Sequence, residues 1–391
     1  MTLIRVIIKI LEEYCVENIE KIREQFPITK NKVFLNHAGM SPLPKPVADA
    51  VRKYADEFAN FGTTSKDWKG NAKSYFAKLI GATPEEIALI ESTSVGLNIV
   101  ANALHYPAGS KIVTTDLEFP SVVYPWLRRG LGVKVDYVKN VDWKILLADV
   151  EKAVDDKTVA VVVSHVEYVN GFRHDLKALS EIAHRHGAYL IVDAIQSAGA
   201  MQVNARRDDV DFLSTACYKW LLSPSGAGFL YVKKELVEEF EPPFVGWASV
   251  SEDVFETIDF WDIWNLKLSE TASRFEIGSS SVLSFIGAME SLKMLLGLCI
   301  ENVEKKILKL TDHLIESVKN LGLELQTPEE PRYRSGIVNF KTNKPQELAR
   351  RLREKRIIVS PRSRGLRVSP HFYNTEEEID RLISEIKRSD G

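Results

Sequence analysis

Five side chains in this 391-residue sequence stand where chemistry is commonly done, each just beyond or near the end of a short apolar run that reads as a strand: Ser94, Phe119, Asp193, Gln196 and Lys219. Lys219 lies between the runs Asp211–Ala216 and Gly228–Val232. A lysine at the end of a buried strand is either paired or chemically used. An exposed ammonium titrates near ~10.4 and is a poor nucleophile at neutral pH, whereas desolvation or an aldehyde partner makes the same nitrogen reactive. Taken alone, such a lysine is most often one that snorkels to water. Its companions decide the case.

After the run ending at Ile90 comes Glu91-Ser92-Thr93-Ser94-Val95-Gly96, hydroxyls and a glycine at a helix start. Free N–H groups and the helix dipole make that an anion site. The dipole contributes only ~0.3–1 kcal/mol to an exposed anion, so a phosphate needs further donors there. Phe119, in DLEFPS, offers a stacking face for a flat ring. Asp193 ends the strand AYLIV, and a carboxylate so placed needs a cationic partner. Gln196 adds an amide three residues on. One cofactor uses this whole set. Pyridoxal 5′-phosphate has a protonated ring nitrogen, a phenolic oxygen, a planar ring, a phosphate and an aldehyde that condenses with a lysine. The nucleotide-binding alternatives lack their phosphate loops: no GxGxxG follows the first strand and no GxxxxGK[ST] occurs.

The elements that position these residues are legible in outline. The length exceeds the usual single-core size, so two lobes are expected. The net charge is 51 − 54 = −3, which gives no basic footprint for nucleic acid. Cys15, Cys217 and Cys299 lie far apart with no CxxC or Cys/His cluster, which argues against a disulfide framework and a zinc site and fits a reducing cytoplasm. The N-terminal stretch through Ile22 crowds apolar residues but is interrupted by Arg5 and Lys9, so it reads as an amphipathic helix rather than a leader. No run approaches the ~20 apolar residues of a membrane span. From Ile87 onward strands and helices alternate, the mark of an α/β fold with a mostly parallel sheet covered on both faces. Two long helices and an α+β tail follow Leu283. The expected division is a large cofactor-binding domain over residues 31–282, with residues 1–30 and 283–391 forming a smaller α+β domain.

The ordered pieces STSVGLN, DLEFPS, DAIQSAG, CYKWLL, RFEIGSSS and RVSPHFYN resemble the class V aminotransferase family, the fold type I pyridoxal-phosphate group that includes cysteine desulfurases, kynureninases and isopenicillin N epimerase-like proteins. The likeness runs from FLNHAG near Asn36 almost to the end of the chain. It implies Lys219 as the lysine that joins the cofactor, Asp193 at the pyridine nitrogen, Gln196 near the phenolic oxygen and Phe119 over the ring. It implies Ser94 with its neighbours Thr93 and Val95 on the phosphate, and Tyr218 there too, where desulfurases carry histidine. His165, in SHVEYVNG, matches a position near the phenolic oxygen. Ser279 matches a residue that reaches the phosphate of a partner subunit, which implies a homodimer. Arg367 matches the arginine that holds a substrate α-carboxylate, a task suited to its planar fork. His37, Trp247, Thr64 and His371 are candidate pocket walls, and Arg362 and Arg364 candidate binders of a second carboxylate.

The resulting expectation is an enzyme acting on an α-amino acid through a lysine-linked Schiff base and abstraction of the Cα proton, with transamination favoured over epimerisation or β-elimination. The segment VSPRSRGL between Ile358 and Arg367 has no cysteine, which disfavours a persulfide route. A catalytically silent cofactor-binding protein is the alternative from another class.

Overall fold

The computed structural model describes residues 19–62, 67–251 and 264–389. Most of the expected N-terminal helix, Thr64 and the middle of the aromatic segment after Phe244 lie outside them.

The centre is a seven-stranded sheet made of β2 (Ile87–Ile90), β3 (Lys111–Thr115), β4 (Lys134–Val138), β5 (Thr158–Ser164), β6 (Tyr189–Asp193), β7 (Phe212–Ala216) and β8 (Gly228–Val232), in the order β2-β8-β7-β6-β5-β3-β4. Neighbours from β7 to β4 pair in parallel, while β8 runs antiparallel to both β7 and β2. The sequence reason is that these strands are apolar at consecutive positions. Val161, Val163, Leu190, Val192 and Leu213 face one buried cluster; Ala160, Val162, Ile191 and Phe212 face the other. Alternate residues enter opposite faces, so both faces must be covered, each large aliphatic contributing ~1.5–3 kcal/mol.

The covering helices are α1 (Ile19–Glu24), α2 (Lys45–Phe61), α3 (Trp68–Ile80), α4 (Thr93–Ala103), α5 (Pro120–Leu127), α6 (Leu147–Ala153), α7 (Leu176–His184) and α8 (Val282–Leu298). After α9 (Ile300–Asn320) the chain forms β9 (Val338–Lys341), α10 (Pro345–Glu354), β10 (Ile357–Ile358), β11 (Ser360–Arg362), β12 (Gly365–Val368) and α11 (Glu376–Ser389). Strands β11, β12 and β9 make an antiparallel sheet. A separate core of Leu310, Leu314, Val318, Phe340, Leu352, Val368, Ile379 and Leu382 lies against it.

Two packing facts differ from the expected division. Helix α8 belongs with the large sheet, because Phe285, Ala288, Leu292 and Leu295 lie in the same buried cluster as Phe76 and Phe229. The helix is apolar around most of its circumference, which is the pattern of a buried helix. The chain turns by 81° between α8 and α9, at Cys299, a residue with φ 59°. In the other direction β1 (Val33–Phe34) pairs in parallel with β10, and Val33 and Leu35 lie in the C-terminal core. A two-residue strand has too little of its own surface to choose a sheet; its partner decides. No single helix among the described residues is long and apolar enough to cross a membrane.

Candidate active site

Parallel strands β5, β6 and β7 end together: Ser164 is opposite Asp193, and Asp193 opposite Ser214. The carboxyl edge of a parallel sheet is where such folds bind ligands. Lys219 stands just beyond β7 in a loop closed on itself, with Leu222 N–H donating to the Lys219 carbonyl (3.0 Å), Ser223 N–H to that of Cys217 (3.0 Å) and Cys217 N–H to that of Ala227 (2.9 Å). Trp220 is fully buried beside it and donates its indole N–H to Gln196 Oε1 at 2.9 Å. The loop is therefore anchored on the residue next to the lysine, and the lysine is 8% exposed.

Among the described residues no carboxylate oxygen lies within 4.0 Å of Lys219 Nζ, although Asp193 is near enough to act on it. Burial pushes the Lys219 ammonium down; Asp193 opposes this, and Arg367 and Arg362 add to it. Asp193 is pushed up by burial against the opposing pull of the Ile195 N–H, at 2.8 Å from Oδ1, and of Lys219. Desolvation outweighs attraction on both sides. The nitrogen sits 5.8 Å from the centre of the Phe119 ring and 5.8 Å from that of Tyr218. Phe119 is 42% exposed, a large aromatic left open beside a buried cation. Its ring meets Tyr168 edge-on at 5.1 Å.

Helix α4 brings its N-terminus to the same edge. Ser92 caps it, accepting from Val95 N–H, and Ser214 Oγ donates to the Thr93 carbonyl at 3.0 Å. The approach requires Gly96, where a Cβ would lie 2.3 Å from Ser214 Oγ. Ser94 Oγ is 2.8 Å from Ser121 Oγ, joining α4 to α5, while Thr93 Oγ1 is buried with no hydrogen-bond partner among the described residues.

Arg367 arrives from β12. It is 1% exposed, donates one Nη1 bond to the Tyr168 carbonyl at 2.7 Å, and has a buried Nε with no partner among the described residues. Among those residues it also has no carboxylate within 4.0 Å. Burial pushes this guanidinium down, and Arg362 adds to the effect. A buried cation left in this state is costly unless an anion arrives.

Of the other expected residues, some have their polar atoms engaged by the protein, and others line a cavity or lie at the surface. Gln196 is buried, with Oε1 taken by Trp220 and Nε2 donating to the Ala38 carbonyl at 3.0 Å, so it braces the lysine loop. His37 donates from Nδ1 to the Ser369 carbonyl at 2.9 Å and accepts at Nε2 from Tyr373 Oη at 2.7 Å, which leaves neither ring nitrogen for a substrate. His371 accepts from Phe372 N–H at Nδ1, so its proton is on Nε2, 3.1 Å from the Trp220 carbonyl. His165 lines a cavity of about 320 Å³ together with Arg173, Gln202, Arg207 and Glu304, of which Lys219 is not a wall. Tyr168, three residues on, is the member of that loop that meets Phe119 and Arg367. Trp247 is half-exposed, its ring near Lys69 and Gly278. Ser279 is exposed.

Two features escaped the sequence reading. Tyr168 lies in SHVEYVNG, where an aromatic at a strand end was the available signal. Glu118, between Leu117 and Phe119, reaches back to Ser164, accepting from its N–H and Oγ at 2.6 Å each. Beneath it Glu167 Oε1 accepts from Thr115 Oγ1 at 3.0 Å and lies 3.1 Å from His174 Nε2. Burial pushes both carboxyls up. This cluster fixes the base of the Phe119 loop from inside.

The residues fit pyridoxal phosphate on the structure's own terms: a desolvated lysine, a carboxyl at the neighbouring strand end, an open aromatic face and, among the described residues, an unpartnered hydroxyl at a helix N-terminus and a guanidinium without a carboxylate partner. The chain matches the family model for aminotransferase class-V over residues 33–382, and it belongs to that family of pyridoxal-phosphate-dependent enzymes. It is 31% identical to an uncharacterised aminotransferase, YcbU, of Bacillus subtilis (strain 168), the match covering 94% of this chain and 97% of that one. It is also 31% identical to a probable cysteine desulfurase of Methanothermobacter thermautotrophicus, over 93% of this chain and 96% of that one. Among solved structures, the apo cysteine desulfurase of Thermococcus onnurineus NA1 superposes with a TM-score of 0.85 at 28% identity, covering 95% and 97% of the two chains.

Proposed function

We propose that this enzyme transaminates an α-amino acid, with Lys219 as the proton-transferring base and Arg367 as the clamp for the substrate α-carboxylate. The observation that carries the reading is Arg367, almost wholly buried and with no carboxylate partner among the described residues. Pyridoxal phosphate bound here supplies an aldehyde for the substrate amine and an electron-poor ring that stabilises negative charge at Cα.

The chain's own residues do the rest. Arg367 fixes the carboxylate, and with it the orientation of the Cα–H bond. Burial destabilises the Lys219 ammonium, so the amine is weakened enough as a base to exist neutral, yet it can still take the Cα proton at Nζ and return it. Asp193 supplies the carboxylate for a protonated ring nitrogen. Phe119 and Tyr168 cover the site and exclude water from one side.

A persulfide route has little support. Of the described cysteines, Cys217 is fully buried and burial pushes its thiol well up, away from the reactive thiolate. Cys299 sits at the α8–α9 bend, outside the Lys219 loop and the β11–β12 hairpin. We include a homodimer in the proposal. Phe244, Val245, Trp247, Ile277 and Leu283 are exposed around Ser279, and Gly246 packs so closely on Ile277 that a Cβ there would lie 1.8 Å from its carbonyl oxygen. An apolar patch of this kind fits a second copy. Residence in the cytoplasm belongs to the same proposal and rests on the cysteine spacing alone.

The test is to incubate the cofactor-loaded protein with single amino acids and identify products by mass. A keto acid formed together with aminated cofactor supports transamination; an epimer, or a fragment lost from Cβ, replaces it. Asp193→Asn should lower turnover by about 100-fold or more while cofactor retention falls far less; unchanged turnover would remove Asp193 from the ring nitrogen.

A further inference from the structure

We propose that the substrate bears a second anionic group on its side chain and that Arg362 binds it, so that the enzyme selects acidic α-amino acids. This rests on the preceding reading of Arg367 and extends it to the substrate class.

The geometry comes from the β11–β12 hairpin. Ser360 is opposite Arg367, Pro361 opposite Leu366, and Arg362 opposite Gly365. Residues two apart on a strand share a face, so Arg362 lies on the face of Ser360 and therefore of Arg367. The two arginines are diagonal neighbours, about 7–8 Å apart at that register. Ser363 (φ 47°) and Arg364 (φ 63°) form the two-residue turn between the strands. Both positive angles suit the turn that matches strand twist, and the register they fix keeps Arg362 on the Arg367 face. Arg364 is carried to the exposed tip, so the structure separates two arginines that look equivalent in PRSRG.

Arg362 is also uncommitted. Among the described residues its guanidinium makes one hydrogen bond, from Nη1 to the Pro361 carbonyl at 2.8 Å, and no carboxylate lies within 4.0 Å of it. It is exposed, hence reachable from the mouth of the site, while Arg367 forms the buried floor. Both guanidiniums act on Lys219 and one on the other, whereas the carboxylate that acts on Lys219 is Asp193. The site thus gathers three cations against one carboxylate. A substrate α-carboxylate answers Arg367; a second anion on a short side chain answers Arg362 in bidentate fashion. The phosphate is met elsewhere, at the start of α4 by Thr93 and its neighbours.

The test uses unreactive carboxylates, so its readout is equilibrium binding. Enzyme loaded with pyridoxal phosphate is titrated calorimetrically with glutarate and with butyrate. Glutarate should bind about 10- to 100-fold more tightly. Arg362→Gln should reduce glutarate to the level of butyrate and leave butyrate unchanged; Arg362→Lys should keep part of the preference. In turnover the same variant should raise KM for glutamate or aspartate and leave KM for their amides unchanged. Equal binding of the two acids by the wild type, or a preference that survives Arg362→Gln, overturns the inference while leaving the Arg367 assignment standing. Failure of the loaded enzyme to bind either acid removes the Arg367 assignment and this inference with it.

Discussion

The fold treats two groups of buried ionisable side chains in opposite ways, one packed against Trp220 and the other gathered around Lys219. His37, His371 and Tyr373 are all fully buried, yet the ring nitrogens are used: His37 bonds Ser369 and Tyr373, and His371 bonds Phe372 and the Trp220 carbonyl. Lys219, Asp193 and Arg367 are buried almost as deeply, but Lys219 and Arg367 have no carboxylate within ion-pair distance among the described residues. The first group joins the C-terminal lobe to the lysine loop. The second holds free energy in reserve for ligands. Burial alone therefore marks neither a site nor a scaffold; what distinguishes them is whether the polar atoms have been answered by the protein.

If that contrast is correct, the largest effect should come from Lys219→Ala, which should lower turnover by about a thousandfold or more and remove the absorption band of the lysine-linked cofactor. A variant that keeps either would place the chemistry elsewhere. Next, Arg367→Met removes a buried cation and should weaken carboxylate binding by about 100-fold or more, while thermal unfolding of the apoprotein stays level or moves to higher temperature because an unanswered charge has gone. A large loss of stability would instead show that the arginine is structural.

The histidine group makes its own prediction about pH. Burial lowers the His37 imidazole from 6.5 to about 4, partly offset by its bond to Ser369. The unfolded chain then binds more protons than the native one between those values, so stability is fully present above pH 6.5 and falls as pH drops toward 4. The loss is on the order of 3 kcal/mol for this one group, and His174, also lowered to about 4 by burial, acts in the same direction. Denaturant titrations across this window check it; a flat profile would contradict it. The smallest effect is expected from Tyr373→Phe, which leaves His37 Nε2 without its donor. It should cost about 1–3 kcal/mol of stability and change turnover only a few-fold. A collapse in turnover with stability intact would transfer Tyr373 from scaffold to active site.

Much of this was legible from residue types in order. Strands such as AYLIVDA and DFLSTA announce themselves by unbroken apolar runs, and the residues at their ends inherit their position from the parallel sheet. The boundary at Leu283 did not survive because α8 is apolar on most sides, and periodicity does not say which of two cores an apolar helix will enter. In SHVEYVNG the sequence offered both a histidine and a tyrosine. The backbone after β5 sends His165 into a cavity with Arg173 and Glu304, and sets Tyr168 against Phe119. That choice depends on the hydrogen bonds from His165 N–H to the Asp193 carbonyl and from His174 N–H to the His165 carbonyl, which link residues across strands and turns.

What the sequence determined by itself was the inventory: an α/β chain with a lysine, an aspartate, an aromatic and a capped helix at strand ends, a set whose ligand needs one cofactor meets. Residue type and local spacing carry that information because strand pleat and helix capping are local properties. Tertiary structure alone decided which polar groups remained unanswered. The sequence offered His37 and His371 as candidate pocket walls, and the fold commits their ring nitrogens to Ser369, Tyr373, Phe372 and Trp220. Arg362 and Arg364 were alike until a two-residue turn fixed the register that placed one of them beside Arg367. Partners distant in sequence set both outcomes, and only folding brings them within hydrogen-bonding distance.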